Sequence, residues 1–183
     1  MRQVGLTAGH HAFDSGAVNV PLQENLLTLR VLGFAMAFLA EKGIYTVSPT
    51  GKLSRKIQEL NRHKLDCAVE IHFNSAAATS AQGIESIYHP GSVKGRQLAN
   101  FLFDKLQDLP FLEGRRVVDT NHLGRRLAFT RDVMAPAVII EPLWISNPEE
   151  KAVAMSQDNL KMIGETIGQA MLEYLKFRSM TNE

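Results

Sequence analysis

Ala137-Val138-Ile139-Ile140-Glu141-Pro142 decides the fold. A run of small and β-branched side chains, closed by a carboxylate and a proline, reads as a short strand covered on both faces. Such a strand needs a layer of helices on each side. The acid at its end is as telling as the run itself, because a carboxylate at the edge of a buried strand is rarely left without a partner or a role.

Working outward, the same alternation recurs. Cys67 to Phe73 and Gly83 to His89 read as further buried strands, Gln3 to Thr7 as the first strand, Ile44 to Ser48 as a short one and Arg115 to Val118 as a weak one. Helical spacing separates them. One helix is predicted from about Gln23 to Lys42, with Leu26, Leu29, Leu32, Ala35, Met36 and Leu39 inward. Others are predicted over Lys52 to Lys64, with Leu53, Ile57 and Leu60 inward, over Val93 to Leu106, and over Ser156 to Phe177. The expectation is a single α/β domain spanning residues 1–183, with a mixed, mostly parallel sheet of about six strands and helices on both faces.

Composition narrows the function. The chain has 183 residues, 45% hydrophobic and 21% charged, with a formal net charge of +1. That suits one compact domain and offers no basic excess of the kind nucleic acid or an anionic membrane surface requires. The single cysteine, Cys67, excludes an internal disulfide and sits in an apolar run, where it reads as a small buried hydrophobe. The chain opens directly into a strand without a signal core, and its longest apolar helical run, Val31 to Ala40, is too short to span a bilayer. Synthesis in the cytoplasm is therefore expected.

In open α/β sheets, ligands bind beyond the carboxyl ends of the strands. Three strands end in reactive groups: Gly9-His10-His11, Glu70-Ile71-His72-Phe73-Asn74, and Ile140-Glu141. With Glu24 at the start of the first long helix, two imidazoles and a carboxylate can make a zinc site with one open position. Each has a plainer reading as well. His10 can cap a turn, His72 can be a hydrogen-bonded core histidine, and Glu24 can be a first-turn acid favoured by the helix dipole.

These residues, in this order, resemble the zinc-dependent N-acetylmuramoyl-L-alanine amidases, a family running from cell-separation enzymes to phage endolysins. The likeness lies in Gly9-His10 with the following Asp14-Ser15-Gly16-Ala17, in Glu24, in Ile71-His72-Phe73-Asn74, in Gly83-Ile84-Glu85, and in Pro136 to Glu141 followed by Ser146-Asn147-Pro148-Glu149-Glu150. It covers nearly the whole chain. The resemblance implies one zinc ion on His10, Glu24 and His72, with Glu141 as catalytic acid/base. It also implies peptidoglycan as substrate, cut between the lactyl group of N-acetylmuramic acid and L-alanine.

Three positions depart from the family pattern. His11 stands where glycine is usual, Glu70 where a small polar residue precedes Ile-His, and Trp144 where Gly-Phe is commoner. On a strand Glu70 and His72 face the same side, so Glu70 is a rival ligand or a partner behind a ligand histidine, and the second is preferred. His11 and Asn74 are expected beside the site or toward substrate. Among the arginines at 115, 116, 125, 126 and 131, one or two are expected to meet stem-peptide carboxylates, the rest forming a solvated face. Ser75 to Gln82 reads as a loop at the mouth of the site, and His63, His89 and His122 as surface residues. No inhibitory helix fits between Ile87 and Val117 beyond the one predicted there, and the catalytic domain is expected to stand without a wall-targeting module. A small, unblocked monomer acting on the wall is the expectation, reaching it by release at lysis, as a phage or prophage enzyme would, or by an export route the sequence does not show. The rival readings are a zinc peptidase, against which only His11-x-x-Asp14 stands in for the usual H-x-x-E, and a non-catalytic wall-binding module.

Overall fold

The computed structural model describes residues 2–124 and 126–181. In chain order the elements are β1 (Gln3–Ala8), β2 (Val18–Asn19), β3 (Leu22–Gln23), α1 (Glu24–Glu41), β4 (Tyr45–Val47), α2 (Leu53–Leu60), β5 (Cys67–Ile71), β6 (Ile84–Tyr88), α3 (Val93–Gln107), β7 (Gly114–Asp119), α4 (Ala128–Asp132), β8 (Ala137–Glu141), α5 (Pro148–Met155) and α6 (Gln157–Met180). The main sheet has six strands in the order β4-β1-β5-β8-β6-β7. The first four run parallel, β6 lies antiparallel to β8, and β7 follows β6 in parallel. The carboxyl ends of β1, β5 and β8 therefore share an edge with the amino ends of β6 and β7.

Alternate side chains of the central strands feed two cores. Val4, Leu6, Cys67, Val69, Ile71, Val138 and Ile140 pack against α1, α3 and α6. Ala68, Ala137 and Ile139 pack against Leu60 of α2 and Phe129 of α4 on the other face. Both faces are covered, as the run 137–141 requires. Cys67 is fully buried, and burial pushes its thiol well above the ordinary range, which suits an inert packing role.

Two helices turn a different face inward from the one spacing suggests. In α1 the buried set is Leu27, Val31, Leu32, Ala35 and Leu39, whereas Leu26 and Leu29 are 48% and 47% exposed. Glu24 sets the phase. Its carboxylate is drawn into the site at the sheet edge, and the residues three, four and seven positions on follow it inward. In α2 the buried side chains are Leu60 and Lys56, while Leu53 lies near the surface. Lys56 turns inward because a buried acid, Glu70, waits beneath it. Helix α6 begins at Gln157, capped by the Ser156 hydroxyl, which accepts from Asn159 N–H. The short helices α4 and α5 occupy stretches where apolar periodicity is too brief to announce them.

Candidate metal centre

Strand hydrogen bonding carries past the strand ends and positions the site. Gly9 N–H donates to Ile71 O at 2.7 Å, and His72 N–H to Ile140 O at 2.9 Å, so the residues after β1 and β5 are held in register with β8. His10 follows in the left-handed region at φ 62°, uncommon for a residue with a side chain and typical of strained functional positions. Glycine beside it is required by space. A Cβ on Gly9 would come within 2.5 Å of the His72 ring, and one on Gly16, itself at φ +63°, within 2.5 Å of Glu24 and His10.

The result is a tight cluster. His10 Nε2 lies 3.0 Å from Glu24 Oε2, and His72 Nδ1 lies 3.0 Å from Glu24 Oε1. One ligand atom from each of His10, Glu24 and His72 falls within 4.8 Å of the others, the only such group among the described residues. Glu24 is 4% exposed and further fixed by the N–H groups of Ala17 (2.9 Å) and Phe73 (3.1 Å). Each imidazole is backed by a carboxylate at its other nitrogen: Asp14 Oδ2 at 2.9 Å from His10 Nδ1, and Glu70 Oε1 at 3.2 Å from His72 Nε2. That pairing orients metal-ligating histidines. Glu70 stands behind His72, as its strand parity requires, and also meets the Thr7 hydroxyl (3.2 Å) and the Lys56 ammonium. Lys56 donates in addition to Ala8 O at 2.8 Å.

The electrostatics describe a cation site. Burial disfavours charge on Glu24, yet hydrogen bonds from His10, His72 and Ala17 hold its carboxyl far below the usual range. Burial likewise opposes a charged His72, but Glu24 and Glu70 overcome it and lift its pKa to about 9. The hydrogen bond to Glu24 raises His10 against the opposing effect of burial. Two buried carboxylates facing one ammonium shift both imidazoles upward, and a divalent cation satisfies the same imbalance. The donor set and its backing therefore fit a metal ion.

A cleft of about 620 Å³ opens over this cluster, lined by His10, Glu24, His72, Asn74 and Glu141 among others. Glu141 ends β8, and the Asn74 amide donates to it and, at 3.1 Å, to Glu85. His11 lies on the cleft wall, its Nδ1 accepting from Phe13 N–H at 3.2 Å, apart from the three clustered groups. Ser75, at the start of the loop after Asn74, also lines the cleft.

The basic cluster divides. Arg115 and Arg116 both grip Glu85, at 3.0 and 2.8 Å, Arg131 pairs with Asp132, and Arg126 is exposed; Arg125 lies outside the described residues. His122 is a surface residue paired with Asp119. Asp14 and Glu85 stand in the sequence only as motif positions without a role, and nothing there points to Lys56. Strand carboxyl ends do not lead to Glu85, because antiparallel β6 brings its amino end to the same edge.

An α/β sheet thus carries a His-Glu-His donor set able to hold a metal ion, with the Glu141 carboxylate lining the same cleft. The sequence profile of the N-acetylmuramoyl-L-alanine amidases matches residues 4–173, and the chain belongs to that family. It is similar to the germination-specific N-acetylmuramoyl-L-alanine amidase of Bacillus subtilis, 22% identical over 92% of this chain and 78% of the relative. It is also similar to the endolysin of Bacillus phage SPP1, 24% identical over 96% of this chain and spanning 66% of the endolysin. The fold matches the catalytic domain of CwlV, an N-acetylmuramoyl-L-alanine amidase from Bacillus (Paenibacillus) polymyxa var. colistinus, with a TM-score of 0.87 at 23% identity, covering 96% of this chain and 99% of that one.

Proposed function

We propose that this chain hydrolyses the amide between the lactyl group of N-acetylmuramic acid and L-alanine in peptidoglycan, with one zinc ion held by His10, Glu24 and His72. One observation carries the reading: three ligand atoms within 4.8 Å of one another, each imidazole backed by a carboxylate, open onto the cleft that Glu141 lines. A zinc ion held by these two imidazoles and one carboxylate would supply Lewis acidity and an activated water near neutral pH.

The protein's own groups do the rest. Glu141 accepts the proton of the attacking water and returns it to the L-alanine nitrogen as the C–N bond breaks, leaving a lactyl carboxylate and a free amine. Asn74, donating to Glu141, keeps that carboxylate aimed. Asp14 and Glu70 hold the two rings so that opposite nitrogens, Nε2 of His10 and Nδ1 of His72, face Glu24. All four principal groups come from one chain, so the proposed site needs no second copy, and action on the cell wall as a monomer is part of the same proposal. No helix among the described residues is long and apolar enough to cross a membrane.

The test is incubation of the protein with isolated peptidoglycan, with and without a zinc chelator, followed by mass spectrometry. New L-alanine amino termini that vanish on chelation are expected, and Glu141→Gln should retain zinc while losing turnover. New termini elsewhere in the stem peptide would make the chain a peptidase. Absence of both zinc binding and cleavage would leave the reading of a non-catalytic wall-binding module.

A further inference from the structure

The Asn74 amide is committed on every side. Its oxygen accepts from Ser75 N–H at 3.0 Å, and its nitrogen donates to two carboxylates, Glu141 and Glu85. Two acceptors at one end require the NH2 there, so the network itself dictates the orientation. Glu85 and Glu141 are also directly paired across the antiparallel β6–β8 ladder. Like charges opposite one another are destabilising. Something must offset them, and Glu85 is only 3% exposed.

Two arginines of β7 do so. Arg115 Nε and Arg116 Nη2 both reach Glu85 Oε1, leaving Oε2 for Asn74. Arg115 is anchored in turn. Its Nη1 donates to Gln82 O at 3.2 Å, and its guanidinium lies 5.3 Å from the centre of the Trp144 ring, whose Nε1–H donates to Gly83 O at 3.0 Å. Trp144, a departure from the family pattern, thus buttresses the arginine that clamps Glu85.

We infer that Glu85 is a positioning residue for Glu141: clamped by Arg115 and Arg116, it holds the Asn74 amide so that one N–H points at the Glu141 carboxylate. This rests on the reading of Glu141 as proton acceptor. The arginines are then structural to the site rather than free receptors for stem-peptide carboxylates. A carboxylate suits the post because it offers acceptors on both sides, whereas a glutamine amide serves either Asn74 or the arginines but not both.

The experiment compares wild type, Glu85→Gln, Asn74→Ala, the double variant and Arg116→Met on peptidoglycan fragments, with zinc content and melting temperature measured for each. Wild-type release of L-alanine termini is the control; its absence would bring down the amidase reading itself and this inference with it. With wild type active, Glu85→Gln should lower kcat on the order of 10- to 100-fold at nearly unchanged KM, since small misplacement of a reacting group costs that much. The double variant should lose no more than the worse single one, because both act through one amide. Arg116→Met, which leaves Arg115 on Glu85, should show a smaller kcat loss at unchanged KM. The inference is overturned if Glu85→Gln and Arg116→Met keep wild-type kcat, if their losses track zinc content or melting temperature, or if the two single losses add.

Discussion

Replacing Lys56 by methionine tests the charge arrangement beneath the site. Lys56 and Glu70 are 3% and 2% exposed, and the ammonium meets the Glu70 carboxylate and the Ala8 carbonyl. Methionine fills the stem's volume and removes the ammonium, its charge and its N–H donors, so Ala8 O loses that hydrogen bond and Glu70 is left in the interior with the Thr7 hydroxyl and the His72 ring. Breaking a buried pair by removing one partner costs about 3–5 kcal/mol, because the other charge stays desolvated. That is a large share of the roughly 5–15 kcal/mol that holds a domain folded. At about 2–4 °C per kcal/mol for a chain of this length, the melting temperature should fall by roughly 6–20 °C. Thermal unfolding followed by circular dichroism measures that fall and urea denaturation the free energy, each on metal-loaded and chelated protein. The double variant Lys56→Met/Glu70→Gln should recover much of the loss, since neither charge remains. A single variant less than about 1 kcal/mol below wild type, or a double variant as unstable as the single, would refute the claim that Lys56 is there to balance Glu70.

Three other perturbations probe neighbouring contacts. Asp14→Ala, which frees His10 Nδ1, should weaken zinc binding by about 10- to 100-fold in competition with a chromophoric chelator while leaving the fold intact; equal affinity would mean Asp14 does not orient the ring. Stripping the metal should lower the melting temperature, with the shift reversed by added zinc, since an ion that binds only the folded chain stabilises it by mass action; an unchanged transition would argue against a bound metal. Gly164→Ala should cost about 1–3 kcal/mol, because its Cβ would meet the Val31 carbonyl oxygen at 2.6 Å where α6 crosses α1; a neutral result would show that the two helices can part there.

What could be read without coordinates, and what could not, follows from the period and direction of the chain. The strands and their terminal groups were legible because buried strands are dense in β-branched residues and the sheet's mostly parallel order makes strand ends meaningful. His10, Glu24, His72 and Glu141 all lie where that reasoning points, at one edge of the sheet. The α1 stripe differs by a fraction of a turn. Apolar spacing cannot say that an acid, Glu24, sets the helix phase, so it turns inward Leu26 and Leu29, which the structure exposes. Lys56 was hidden for the converse reason: a lysine on a polar helix gives no sign that its partner is a buried carboxylate on a strand.

Glu85 shows the deeper limit. Inspecting strand carboxyl ends presumes one direction for every strand, yet β6 runs against β8, and the register sets Glu85 opposite Glu141. The reversal places a buried carboxylate beside Glu141, the proposed proton acceptor. Asn74 and the arginines of β7 then make the pair tolerable. The reach from Trp144 through Arg115 and Glu85 to Asn74 spans residues from four separate stretches of the chain, so no local motif contains it. Each link is a charge-assisted hydrogen bond or a cation on a ring, the kinds of contact that hold one geometry rather than merely fill space. An apolar core specifies which face of a strand is inside; only such directional contacts specify where a carboxylate points once it is there.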